Sequence, residues 1–382
     1  MNNQKMPRSD DEILAAYEAC GGSIRATSKA LGNMDRESLR NRLSRLGVRH
    51  QDPAIAAAAK SVGTNMIPTL AWAKTKPDEN GMAYSVLLKP EPLPDDTLNR
   101  IRAAFEDMKP AEPVAPPGNV MADLCNVIPL FDVHFGMLAW GRETGVQNYD
   151  MEVATGDLKY AFEKVLSLTP VAEQAILIIG GDFFHADDNT SETPANRHKL
   201  DVDGRYHKII EQAVEVLGYV IGRVQSRHRK TIVRVLRGNH DVNSHVALKF
   251  ALSQRYRKDG SVEVDMDPRD FFMAQWGRSA IFAHHGDKAP PERMTLYVSD
   301  VCPFWSETRH RHFYTGHVHK DTARDVGPLR WESLRAFCPP DSYAAGMGYA
   351  GRRALRIDTY HRVDGRVLTA TDPIERDQSR PD

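Results

Sequence analysis

Five short apolar runs in this chain each end in side chains that bind metal ions or move protons. Residues 127–131 lead into Asp132-Val133-His134, and residues 176–179 lead through Gly180 and Gly181 into Asp182. Residues 232–236 are followed by Arg237-Gly238-Asn239-His240-Asp241. Residues 280–283 precede His284-His285-Gly286, and residues 313–315 precede Gly316-His317-Val318-His319. Taken singly each is weak, since an Asp after two glycines can simply cap a turn and a His at a strand end is ordinarily a surface residue. Five in succession are hard to assign to packing. Asp132 and His134 are two residues apart, so an extended segment points both to one side, where they can share an ion. Carboxylate, amide and imidazole donors without cysteine suit Mn²⁺, Fe or Zn²⁺.

The elements that position these residues read as strands. A short Ile-rich run closed by glycine is the pattern of a strand buried on both faces. A carboxylate at the carboxyl end of such a strand is where open α/β sheets place their ligands. Long connections, including an apolar helix over 209–224, separate the early strands, whereas strands dominate late in the chain. Segments 352–359 and 366–371 flank Val363-Asp364-Gly365 and read as a hairpin that completes a sheet. The fold class is α/β.

Asp-x-His, Gly-Asp, Gly-Asn-His-Asp, a His before glycine and Gly-His-x-His, in this order, resemble the calcineurin-like metallophosphoesterases. The resemblance spans residues 120–376, and Asp132-Val-His-Phe-Gly136 with Gly181-Asp-Phe-Phe is most similar to the Mre11/SbcD-type nuclease branch. It implies two mixed β-sheets packed face to face with helices outside. It also implies two divalent metal ions, Mn²⁺ foremost, with Fe, Zn²⁺ or Ni²⁺ as alternatives. By motif, Asp132, His134, Asp182 and His319 would hold the first ion. Asp182, Asn239, His285 and His317 would hold the second, with Asp182 bridging. His284 remains an alternative to His285, because one strand cannot aim both at the same ion. Such a pair of ions would lower the pKa of a bridging water and clamp the oxygens of an in-line displacement. His240 is then a general acid or phosphate-binding group. Asp241 either holds the His240 imidazole in one tautomer or caps a turn.

Where the family's substrate loop begins, the chain carries His185, Asp187 and Asp188. Further on, Arg197, Arg205, His207 and Lys208 either face a phosphate backbone or form a solvated loop and first helical turn. Lys288 and Arg293 are similar candidates, and the role of residues 309–312 stays open.

The first fifty residues carry a different signal. Ser9 and Asp10 can cap a helix bearing Ile13, Leu14 and Tyr17. A second helix starts at Ser23, and Asp35 caps a third with Leu39, Leu43 and Leu46 on one face. The opposite face presents Arg36, Arg40, Arg42 and Arg45, with Arg49 just beyond. Residues 13–47 resemble the Fis-type helix-turn-helix, which implies contacts with DNA phosphates; the alternative is a three-helix bundle with a solvated basic face. A Fis-like module joined to a phosphoesterase is similar to proteins of phages and prophages. The expected organisation is a helix-turn-helix at 1–50, a connector at 51–118, the catalytic domain at 119–376 and a tail at 377–382. The connector holds a hairpin (69–76 with 82–89), a helix from Asp95 or Asp96 through Met108, and a Pro-rich linker at 111–118.

With 382 residues the chain is long enough for more than one domain. Its net charge of -1 leaves nucleic-acid affinity to local patches. Four scattered cysteines suggest neither a zinc ribbon nor a disulfide framework. Without an apolar signal core or a run of ~18 apolar residues, the expectation is a soluble protein of a reducing bacterial or phage-infected cytoplasm with no membrane partner. The favoured reading is a metal-dependent phosphodiesterase acting on DNA, with an oligomer as an open possibility. The alternatives are a phosphomonoesterase for phosphoprotein or nucleotide, and a DNA-binding regulator or accessory protein with a secondary phosphoesterase domain.

Overall fold

The computed structural model describes residues 9–20, 24–32, 34–46, 71–74, 85–88, 109–349 and 351–374. The chain divides into two compact units, Met1–Asp96 and Thr97–Asp382.

In the first unit, α1 (Asp10–Ala19) and α3 (Arg36–Arg45) form where their capping residues place them, and α2 (Ile24–Ala30) lies between them in the chain. The Ser9 hydroxyl accepts the Glu12 N–H, and the Glu12 carboxylate accepts the Ser9 N–H, a reciprocal box that satisfies two orphan donors. Asp35 accepts the Ser38 N–H at 2.7 Å at the start of α3. Ile13, Tyr17, Ile24, Leu31, Leu39 and Leu43 are the shared core of the three helices. Strands β1 (Ala71–Lys74) and β2 (Ser85–Leu88) pair antiparallel, with Ala71 opposite Leu88, as the alternating pattern predicts. The helix expected up to Met108 and the tail at 377–382 lie outside the described residues.

The second unit begins upstream of the Pro-rich segment. Ala111 already belongs to it: its N–H donates to the Arg255 carbonyl at 2.8 Å, and its side chain packs on the core. One sheet has six strands in the order β13-β12-β3-β4-β5-β6. These are β3 (Met121–Leu130), β4 (Ala172–Ile179), β5 (His228–Val235), β6 (Val262–Asp265), β12 (Leu355–His361) and β13 (Gly365–Asp372). β3 to β6 run parallel, and the C-terminal hairpin adds antiparallel through β12 against β3. The other sheet has the order β10-β11-β9-β8-β7. Its strands are β7 (Phe272–Trp276), β8 (Ser279–Ala283), β9 (His310–Thr315), β10 (Thr322–Val326) and β11 (Leu329–Ser333), and β8 runs parallel to β9.

The period of two along β4 shows how the layers stack. Ile176 and Ile178 enter the core between the sheets with Val127, Phe131, Ile281 and Tyr314. Ala175, Leu177 and Ile179 face the other way, into the core under the helices. Those helices are α4 (Met151–Ser167), α5 (Tyr206–Gln225) and α6 (Ser244–Tyr256). On the far side, Met294 and Val298 of α7 (Pro291–Val301) cover the second sheet. The result is helices, mixed sheet, mixed sheet and helix, which is the expected fold class. Each fully buried Ile of β4 contributes about 1.5–3 kcal/mol of transfer free energy, so this strand is a stiff support for the loop that carries Asp182.

A buried polar network joins the two sheets. The Tyr314 hydroxyl donates to Asp358 at 2.6 Å, and Glu332 pairs with both Arg356 and Arg366, the latter at 2.9 Å through both carboxylate oxygens. No helix of the described residues is long and apolar enough to cross a membrane.

Candidate metal centre

The strand ends share an unusual backbone. Asp132, His134, Asp182, His317 and His319 have φ of 52°, 47°, 48°, 66° and 52°. They are five of the eight described non-glycine residues with positive φ, and all five are ligand positions by motif. A left-handed residue with a Cβ costs about 1–2 kcal/mol, so strain has been concentrated where side chains must be turned back over the strand ends. Two glycines make room for the carboxylates. A Cβ on Gly238 would lie 2.0 Å from Asp182 Oδ1, and one on Gly316 would lie 2.4 Å from Asp132 Oδ2.

The side chains so placed form two groups. Asp132, His134 and His319 each offer a ligand atom, all within 4.8 Å of one another, and Asp182, His285 and His317 do the same. Asp182 faces both groups: its Oδ2 is 3.1 Å from His285 Nε2 and 3.9 Å from His134 Nε2. Asn239 joins the second group through Oδ1, 3.0 Å from His285 Nε2. The seven residues chosen by motif are thus brought together, with Asp182 between the groups. His285 and not His284 faces the carboxylates. His284 Nδ1 accepts the Gly286 N–H at 2.9 Å, and its ring lies 4.6 Å from Phe271, on the apolar side of the strand.

The donor set fits divalent cations. Asp132 and Asp182 are 0% and 2% exposed, and among the described residues their ion-pair partners are histidines only. Buried carboxylates without Lys or Arg call for another positive charge. The buried Nε2 of His134 has no hydrogen-bond partner, which suits a nitrogen reserved for an ion. Burial, reinforced by the His240 charge, holds the His134 imidazolium well below its ordinary pKa, so the ring is neutral as a ligand must be. Burial opposes the charge of Asp182, but the neighbouring His285 outweighs it and holds the carboxyl well below the usual range. Against the same burial, Asp182 pushes His285 up to about 10.

His185, expected on a substrate loop, is instead 1% exposed and lies inside the centre. Its Nδ1 is 3.1 Å from His134 Nδ1, its ring stacks 5.5 Å from that of His240, and its Nε2 has no partner. His134, His185 and His240 form a third group of closely spaced nitrogens. The pull inward comes from Phe183 and Phe184, both buried in the helix-side core. Two adjacent aromatics in a loop were the available signal.

Asp241 does not orient His240. The His240 Nδ1 is taken by the His185 carbonyl at 2.8 Å. The Asp241 carboxylate instead accepts the N–H groups of Asp182, Phe183, Phe184 and Gly238 at 3.3, 2.8, 3.3 and 2.7 Å. This is the turn-cap alternative: the carboxylate is drawn to four converging donors that have no other buried acceptor. Burial, aided by the Asp182 charge, pushes this carboxyl up to about 7. His240 meets Asp182 through its backbone N–H, 2.7 Å from Oδ1, and its ring lies 4.7 Å from that of His134.

The substrate candidates farther along the chain are peripheral. Arg197, Arg205 and His207 are exposed. Arg205 is the N-cap residue of α5, and His207 sits 3.5 Å from Glu211 on the same helix. On α3, Arg36 is exposed, whereas Arg42 pairs with Asp10 at 2.6 Å and so is tied to α1 rather than open to a phosphate. The side chains of Arg40 and Arg45, and all of Arg49, lie outside the described residues.

Neither a protein-family model nor a curated protein matches the sequence. Among solved structures, one neighbour is a novel archaeal phosphodiesterase, with 13% identity, 61% of this chain and 92% of that chain covered, and a TM-score of 0.32. Another is Vps29 from Entamoeba histolytica complexed with zinc, with 10% identity, 65% and 99% covered, and a TM-score of 0.27. Both scores lie below 0.5, so the fold rests on the strand pairings themselves.

Proposed function

We propose that this chain is a metal-dependent phosphoesterase of the calcineurin-like superfamily that cleaves phosphodiester bonds, with DNA as its substrate class. The observation that carries the reading is the convergence of five left-handed residues, from three strand ends, on two ligand groups that Asp182 faces together. Bound divalent ions would activate a water at neutral pH and stabilise the charge that develops on the phosphoryl oxygens.

The protein's own contribution is positional. Asp132 and Asp182 bring negative charge into a buried site, and the neutral His134 offers a free nitrogen. With Nδ1–H of His240 donating to the His185 carbonyl, its Nε2 is left to meet the substrate and to exchange a proton with the leaving oxygen. Asp241 fixes the loop that carries Asp182 by accepting four of its neighbours' N–H groups.

The choice of DNA is supported by the capped three-helix unit with exposed Arg36, and by the nuclease-like first two motifs. The preference for a diester is tested with bis-p-nitrophenyl phosphate against p-nitrophenyl phosphate in Mn²⁺. Faster turnover of the diester is expected. Turnover of the monoester alone removes the nuclease reading, and turnover of neither with Mn²⁺, Ni²⁺ or Zn²⁺ removes the enzyme.

A further inference from the structure

A cleft of about 420 Å³ opens beside the second ligand group. Gly286, next to His285, and Gly316 and Val318, on either side of His317, form its inner end. The two loops touch there, since a Cβ on Gly286 would lie 3.7 Å from the His317 Cβ. Outward, the walls are Ala289, Pro290, Pro291, Met294 and Trp331. The inner end of the cleft thus borders the chain neighbours of two ligand positions, and its walls are apolar along most of their length.

Its charged members are already paired. Asp287 holds Arg237 at 2.8 Å, and Lys288 holds Asp270 at 2.5 Å. Those ion pairs leave no free cation to collect a second phosphate and no free carboxylate to repel an uncharged group. The volume falls within the range of small-molecule sites, roughly 300–1,000 Å³. Lys288 and Pro290 are exposed, so the outer end is open and an occupant can continue into solvent.

We infer that this cleft is the subsite for a nucleobase attached to the phosphate held at the metal centre. A base has apolar faces for the alanine and proline walls, with Met294 and Trp331 beneath them, and a polar edge for the open rim. A phosphomonoester of a protein would leave the cleft empty, whereas a nucleotide diester fills it from the same phosphate. The inference rests on the phosphoesterase reading and adds which side of the centre receives the base.

The test is calorimetric binding to the full chain loaded with Mn²⁺, comparing methyl phosphate with thymidine 5′-monophosphate. The nucleotide is expected to bind at least about tenfold tighter. Ala289→Trp and, at a second wall position, Pro290→Trp fill the cleft and are expected to bring the ratio close to one. Methyl phosphate affinity stays unchanged in both, which also reports that the variants are folded. Equal affinities in the unaltered chain, or a ratio that survives both substitutions, overturn the subsite. If methyl phosphate shows no Mn²⁺-dependent binding, the metal-centre reading itself fails and takes the subsite with it.

Discussion

His240 and Asp241 are neighbours with separate tasks, and substitution separates them. His240→Ala leaves the seven motif positions in place, so both ions are retained while turnover falls by roughly 10²- to 10⁴-fold, the range of a lost proton-transfer group. Loss of an ion on metal analysis would contradict that role. Asp241→Ala leaves four buried N–H groups without an acceptor, at about 1–3 kcal/mol for each that finds no water. A fall of several kcal/mol in urea unfolding is expected, with activity lost in proportion to folded protein; unchanged stability would show that the cap is dispensable. The seven positions proposed as ligands were legible in the sequence because each is an Asp, His or Asn at a strand end, most of them within two residues of a glycine. Asp241 was legible only as two alternatives. Which one holds depends on donors that converge from residues 182–184, about sixty positions away, to join the local one from Gly238, and no local pattern encodes those distant contacts. The burial of His185 was not legible for the same reason: it follows from how Phe183 and Phe184 pack under the helices.

At the scale of elements, the two sheets must keep fixed spacing for their strand ends to share one site. β8 and β9 supply His285 and His317, while β3 and β4 supply Asp132 and Asp182. The sheets are also joined by Glu332 of β11, which pairs with Arg356 and Arg366 from β12 and β13. Burial opposes the Glu332 charge, but Arg366 and Arg356 prevail and hold its carboxyl at about 2. Because the folded pKa lies below that of the unfolded chain, this carboxylate contributes stability above about pH 4.5 and loses it as pH falls toward 2. The shift corresponds to a contribution on the order of 3 kcal/mol. Glu332→Gln is expected to lower urea stability at pH 7 and to flatten its dependence between pH 4.5 and 2. An acid limb of unchanged slope would mean that the network does not hold the sheets. Strand identity was readable from apolar runs and from the Val363-Asp364-Gly365 turn. Strand order was not, since β12 reaches across more than two hundred positions to pair Thr359 with Asn126.

For the whole molecule, the two compact units carry the two halves of the proposal, recognition and cleavage. Arg36→Ala in the full chain is expected to weaken retention on DNA and to reduce the salt slope of binding by roughly 0.9. Turnover of bis-p-nitrophenyl phosphate should stay unchanged; a parallel loss would mean that Arg36 acts at the catalytic centre. The central claim is that Asp182 belongs to two ions at once. Metal analysis of the purified chain reconstituted with Mn²⁺, unaltered and as Asp182→Asn, tests this most directly. Two ions per chain are expected, falling below two on substitution, with turnover reduced by roughly three orders of magnitude and the fold retained. Two ions and near-normal turnover in Asp182→Asn would contradict the bridging role.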